Sequence, residues 1–198
     1  EVAGAVFIDP MPQDFDAFSR ELKSKVLRQS GLDESGSIKL LGKLAHLGIL
    51  RLLKPYMKNS PPFCYYNRIP EKTVDILWNH FNLAQGYKTQ LDELEQVHTK
   101  TAQQGLKEAG GFPSVPIKVL YHDPQMMIDN MTRYAGLQVE IARKIEELTQ
   151  EQTRAYLRLS PSSSWHVADK SGHNIHLDKP ELVVKTILDV VSEIRSNY

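Results

Sequence analysis

Three short strand-like runs, far apart in the chain and each followed by helical sequence, constrain this fold more than any other feature. The first is Val2–Ile8, nearly unbroken in apolar residues and closed by Asp9-Pro10; the second is Val115–Tyr121; the third is Ser162–Ala168. A nearly continuous run with β-branched and aromatic residues suits a strand buried on both faces of a sheet. Strands separated by helices, rather than by tight turns, pair in parallel. The expected fold class is therefore α/β, with three parallel strands.

Between the strands the apolar residues recur at helical spacing. Phe15, Phe18, Leu22, Val26 and Leu27 predict a helix over 14–28, and residues 31–37 form a Gly- and Ser-rich break. Leu40, Leu41, Leu44, Leu47, Leu50, Leu52 and Leu53 predict a second over 38–53. Its polar face is thin, so it could bury itself in a core, cover a substrate cavity or rest on lipid; the core or cavity is preferred. Residues 58–63 are a linker, since the Pro61-Pro62 pair cannot be helical. Helices follow over 70–85, opened by Pro70-Glu71, and over 88–108, closed by Gly110-Gly111. A long helical region is expected over 126–159 and a final amphipathic helix over 182–194. The order is strand, four helices, strand, helix, strand, helix. Residues 1–11 with 112–198 then make the sheet layer, and 12–111 a large helical insertion.

The 198 residues carry 24 basic and 24 acidic side chains, so bulk charge gives no argument for nucleic acid or an anionic membrane. The one cysteine, Cys64, excludes an intrachain disulfide and a thiolate metal cluster. No run reaches the roughly 18 apolar residues of a spanning helix, and no signal peptide is evident. A reducing, cytoplasmic setting is expected. The chain opens on Glu1 rather than Met and runs at once into an apolar segment, which predicts a fragment or a processed chain.

The chemistry concentrates after the third strand, in Trp165–Glu181. A Ser171-Gly172 turn is followed by His173 and His176, and Pro180-Glu181 opens the last helix. His173, on the loop after a strand, is the candidate general base. A lone histidine is more often structural, so its partners decide the matter. Open α/β sheets place functional groups at the carboxyl ends of their strands, where Asp9 stands; its plain role is to end a core strand. His166, His173, His176 and Asp178 lie close in sequence, but Gly172 and Pro180 make this segment a loop rather than a helix with a shared ligand face. No metal or cofactor is expected.

At three places the chain resembles the carboxyl-terminal half of an α/β-hydrolase. Val2–Pro10 looks like the sixth strand of that fold, Val115–Tyr121 like the seventh, and Ser171–Glu181 like the catalytic-histidine loop and the start of the last helix. Residues 12–111 fall where the family carries its helical cap, and Gly42–Leu53 resembles the leucine-rich cap helix of bacterial members. The resemblance implies a serine hydrolase acting on a small hydrophobic ester through an acyl-enzyme, with His173 as base. The triad acid would be Asp123, after the seventh strand, or Asp9, after the sixth; Asp9 is preferred because Asp123 comes about two residues early. The family's Gly-x-Ser-x-Gly nucleophile elbow is absent from the chain, and the loop donating the other oxyanion-hole amide would lie further upstream still. Both would belong to a missing amino-terminal half, which also leaves open an aspartate nucleophile of the haloalkane or epoxide hydrolase kind. The isolated chain is then expected to be inactive. The rival expectation is a non-catalytic truncated or remnant hydrolase that binds a partner or self-associates through its open sheet edge.

Overall fold

The computed structural model describes residues 2–12, 16–57, 70–97, 108 and 112–196. The linker expected over 58–63 and the later part of the helix expected over 88–108 lie outside them. The chain divides into two compact units, Glu1–Leu32 with Leu106–Tyr198, and Asp33–Gly105.

The first unit holds the sheet. Strands β1 (Ala5–Ile8), β2 (Ile117–Tyr121) and β3 (Ser163–Val167) pair in parallel in the order β1-β2-β3. Ala5 stands opposite Ile117, which stands opposite Ser163; Ile8 meets Leu120, and Tyr121 meets Val167. The α/β class with three parallel strands is thus observed, each strand shorter than the run expected for it. β2, the middle strand, is the most deeply buried: Ile117, Val119, Leu120 and Tyr121 have no accessible surface.

In the same unit, two elements expected as single helices are broken. Residues 14–28 give α1 (Asp16–Glu21) and α2 (Ser24–Ser30), because Lys23 takes an extended backbone between them. The bend lets Phe18, Leu22, Val26 and Leu27 reach one apolar cluster. Residues 126–159 split at Gly136, whose φ of 64° is open to glycine without steric cost.

The second unit is helical. It contains α3 (Ser35–His46), a 3₁₀ turn at Ile49–Leu53, α4 (Lys54–Met57), α5 (Glu71–Phe81) and α6 (Ala84–Val97). The leucine-rich segment is therefore not one helix; it turns at Gly48, with φ of 73°. Helices α3 and α6 approach closely at Gly42, where an added Cβ would lie 3.1 Å from Tyr87 Cβ. Ile38, Ala45, Leu50 and Tyr87 form the buried cluster, with Leu41, Leu44, Leu53 and Phe81 packed on it.

Back in the first unit, β2 runs into α7 (Pro124–Tyr134), then α8 (Val139–Arg154) and a 3₁₀ turn at Ala155–Arg158. After β3 come the short α9 (Ile175–Asp178) and α10 (Pro180–Ser196). Side chains alternate across a strand. On one side Leu120 joins Ala168, Ile175 and Val183, with Ile8 and Leu182 packed against them. On the other, Phe7 meets Tyr156 with ring centres 4.8 Å apart and Tyr121 meets Trp165 at 4.7 Å. Helix α10 seats tightly on the start of β1: a Cβ on Gly4 would fall 2.6 Å from Val190 Cγ1.

The helical unit begins at Asp33 rather than at residue 12, where the sequence placed the insertion. The reason is packing: Phe18 and Leu22 bury themselves with Ile128, Leu137, Ala142 and Ile145, so α1 and α2 belong with the sheet. Among the described residues no helix is long and apolar enough to cross a membrane.

Candidate functional site

The carboxyl ends of all three strands converge on one cluster of charged side chains. β1 delivers Asp9, β2 delivers His122 and Asp123, and the loop after β3 delivers His173. The strand ladder continues through them: Asp9 N–H donates to Leu120 O at 2.8 Å, and Ala168 N–H donates to Tyr121 O at 2.7 Å. Asp9 has a φ of 44°, the left-handed region that Asp tolerates better than most residues but still at a cost. Strained backbone of this kind is concentrated at functional sites, at about 1–3 kcal/mol each.

Asp9 is the hub. Its Oδ2 accepts from His173 Nδ1 at 2.6 Å. Its two oxygens also accept from His122 Nδ1, at 2.8 and 2.9 Å. The carboxylate is buried, with 5% of its side chain accessible, whereas the His173 side chain is 69% accessible. A histidine that donates through Nδ1 presents Nε2 as an acceptor. The pair is therefore an exposed imidazole held from behind by a buried carboxylate, the arrangement of a general base and its orienting acid. The hydrogen bond to Asp9 raises the pKa of His173, against desolvation and the positive charge of His122. For Asp9, burial favours the neutral acid, but the two histidines overcome it and its pKa falls below the ordinary value.

Asp123 does something different. Its Oδ1 caps α7, accepting from Gln125 N at 3.0 Å and Met126 N at 3.2 Å, and its Oδ2 accepts from Lys170 N at 2.9 Å. Partial burial raises its pKa, but these three backbone donors more than offset that and hold it low. The sequence offered it as an alternative triad acid; the geometry engages it in building the loop, and His173 turns to Asp9 instead. The loop is fixed at both sides of Gly172. Asp123 N–H donates to Ser171 O at 2.8 Å, and Gly172 N–H donates to Asp178 Oδ2 at 2.9 Å. Ser171 is wholly buried. His176 and Asp178 lie in α9, so the segment expected as loop throughout contains a helical turn; His173 precedes it.

Two residues of the cluster were not singled out in the sequence. His122 Nε2 lies 3.1 and 3.0 Å from the two oxygens of Glu146 on α8, and Tyr121 Oη donates to Glu146 Oε1 at 2.6 Å. Carboxylates accept and do not donate, so an imidazole between two of them carries a proton on each nitrogen. With both carboxylates ionised, buried His122 is in its imidazolium form. Desolvation opposes its charge, but Asp9 and Glu146 outweigh it and raise its pKa to about 9. Burial, together with Glu146, pushes the Tyr121 phenol far up. The signal for Glu146 was its place on α8: it lies four residues after buried Ala142 and seven before buried Thr153, on the inward stripe.

Among the described residues no group of three His, Cys, Asp or Glu side chains is placed to hold a metal ion. No family model matches the chain, nor does any curated protein or solved structure.

Proposed function

We propose that this chain is the carboxyl-terminal portion of an α/β-hydrolase-type enzyme, with His173 as general base and Asp9 as the acid that orients it. The observation that carries the reading is the 2.6 Å contact between Asp9 Oδ2 and His173 Nδ1 at the carboxyl ends of a parallel sheet. In the step it implies, His173 Nε2 takes the hydroxyl proton of a serine as that oxygen attacks an ester carbonyl. The imidazolium then gives the proton to the departing alkoxide, leaving an acyl-enzyme that water cleaves by the same route in reverse roles. The chain has no Gly-x-Ser-x-Gly, so this reading requires a nucleophile from outside these 198 residues. The helical unit Asp33–Gly105 is the proposed cap. Its Leu50 and Trp78 are buried within the unit, so the case for a small hydrophobic substrate rests on the resemblance rather than on them.

The test begins with the coding sequence upstream of Glu1. A strand, a nucleophile elbow and a helix in frame are expected, and the protein so completed should hydrolyse p-nitrophenyl acetate. His173→Ala should lower that rate by about 10⁴-fold or more. An upstream sequence without an elbow, or a rate indifferent to His173→Ala, overturns the proposal. The 198-residue chain alone should show no turnover.

A second reading, a non-catalytic module built on a hydrolase remnant, is favoured by the apolar side chains Val184, Ile187 and Leu188, all exposed on α10. It predicts self-association in sedimentation and no esterase activity even in the completed protein.

A further inference from the structure

Asp9 is bonded by two histidines, and only one of them faces solvent. The other, His122, has 4% of its side chain accessible and is closed in on every side by groups that fix its protons. From β1 comes Asp9, from α8 comes Glu146, from β2 the Tyr121 ring, whose centre lies 4.0 Å from that of His122. The other charges that bear on this corner are His173, Asp123 next in sequence, and Arg154 of α8, whose guanidinium sits 4.8 Å from the centre of the Trp165 ring.

We propose that His122 is a positioning residue of the same site: a double-donating imidazolium at neutral pH, clamped by Glu146, that fixes the Asp9 carboxylate so that Oδ2 stays aimed at His173 Nδ1. Nδ1–H of His122 straddles both oxygens of Asp9, at 2.8 and 2.9 Å, which fixes the plane of the carboxylate. Without a second donor, a carboxylate on a short side chain is free to rotate, and the 2.6 Å contact to an exposed histidine is easily lost. Glu146 supplies the counter-charge that lets a cation stay buried there, and Tyr121 Oη holds Glu146 in turn. The charges also balance usefully. Two carboxylates and one imidazolium leave a single net negative charge beside His173, which the catalytic proton would neutralise. His122 itself repels that proton, so it tempers the basicity that Asp9 confers.

The positioning role rests on reading His173 as the base, but its test does not involve turnover. The 198-residue chain, labelled with ¹⁵N in its histidines, is compared with His122→Gln and Glu146→Gln by NMR, circular dichroism confirming the fold. In the parent, both His122 nitrogens should be protonated at pH 7, and neutral His173 should be mainly the Nδ1–H tautomer. In folded His122→Gln the His173 preference should fall severalfold, towards the Nε2–H excess of free imidazole. A purely structural His122 would lower stability without moving that tautomer. If His122→Gln does not fold, Glu146→Gln decides: it keeps an acceptor for Nε2–H, and the His122 midpoint should fall by about one pH unit or more. A neutral His122 at pH 7 in the parent, an unmoved tautomer in folded His122→Gln, or an unmoved His122 midpoint in Glu146→Gln each overturns the proposal. Loss of the hydrolase reading through an indifferent His173→Ala would leave all three readouts standing, so the two failures are distinct.

Discussion

Raising the pH should unfasten this molecule from the inside, at His122. Its pKa rises from an ordinary 6.5 to about 9 in the fold. A raised folded pKa means that the stabilisation is fully present below 6.5, falls as pH climbs from there to 9, and is gone above. At about 1.4 kcal/mol per pH unit, the interval corresponds to about 3 kcal/mol. That is a large share of the roughly 5–15 kcal/mol that holds a domain of ordinary stability. His173 adds in the same direction, but its side chain is 69% accessible and solvent screening makes its part small. The assay is urea unfolding at pH 6.0 and 9.5, followed by the fluorescence of Trp165 in a Trp78→Phe background. The Trp165 ring lies against that of Tyr121, tilted by 33°, beside the cluster, while Trp78 belongs to the helical unit. The parent should lose about 3 kcal/mol between the two pH values with little change in slope against urea. Glu146→Gln removes one of the two carboxylates and should shrink the loss to about half. A parent whose stability is equal at both pH values, within about 0.5 kcal/mol, would refute the buried imidazolium.

Other consequences follow from the same packing. Asp123→Ala removes the α7 cap and the bond to Lys170 N; it should cost about 1–2 kcal/mol in urea unfolding, yet leave the folded His173 in its Nδ1–H tautomer. Gly4→Val has no room against Val190 and Ile194 and should cost about 1–3 kcal/mol in the same measurement. On the acid side, the lowered pKa of Asp9 gives stability that is present above its ordinary 3.8 and lost as pH falls through its folded value; a Trp165 acid titration should show Asp9→Asn unfolding with a weaker dependence on pH.

The strands were the most legible part of this chain. The runs that give β1 and β2 are apolar for a local reason, and nothing distant is needed to see it; β3, with Ser163, Ser164 and His166, was legible from its place before the Ser171-Gly172 turn. Helix breaks were harder. Gly136 and Gly48 interrupt periodic sequence that otherwise reads as continuous, because a left-handed glycine leaves the apolar spacing on each side intact. The boundary of the helical unit was misplaced since Phe18 and Leu22 show an apolar face without showing what covers it. At the site, His173 could be found from its loop and Asp9 from its strand end. His122 and Glu146 could not be paired from sequence: 24 residues separate them, and Glu146 is one acid among several on α8. Asp123 drew attention as a carboxylate after a strand, the same place an N-cap occupies when a helix follows at once.

The most direct measurement of the central claim is the ¹⁵N-detected pH titration of His173 in the parent and in Asp9→Asn. Asp9 as orienting acid predicts a parent midpoint above the ordinary 6.5 and a dominant Nδ1–H tautomer when neutral, with the midpoint lowered and the preference lost in Asp9→Asn. A His173 that titrates alike in the two folded proteins would contradict it.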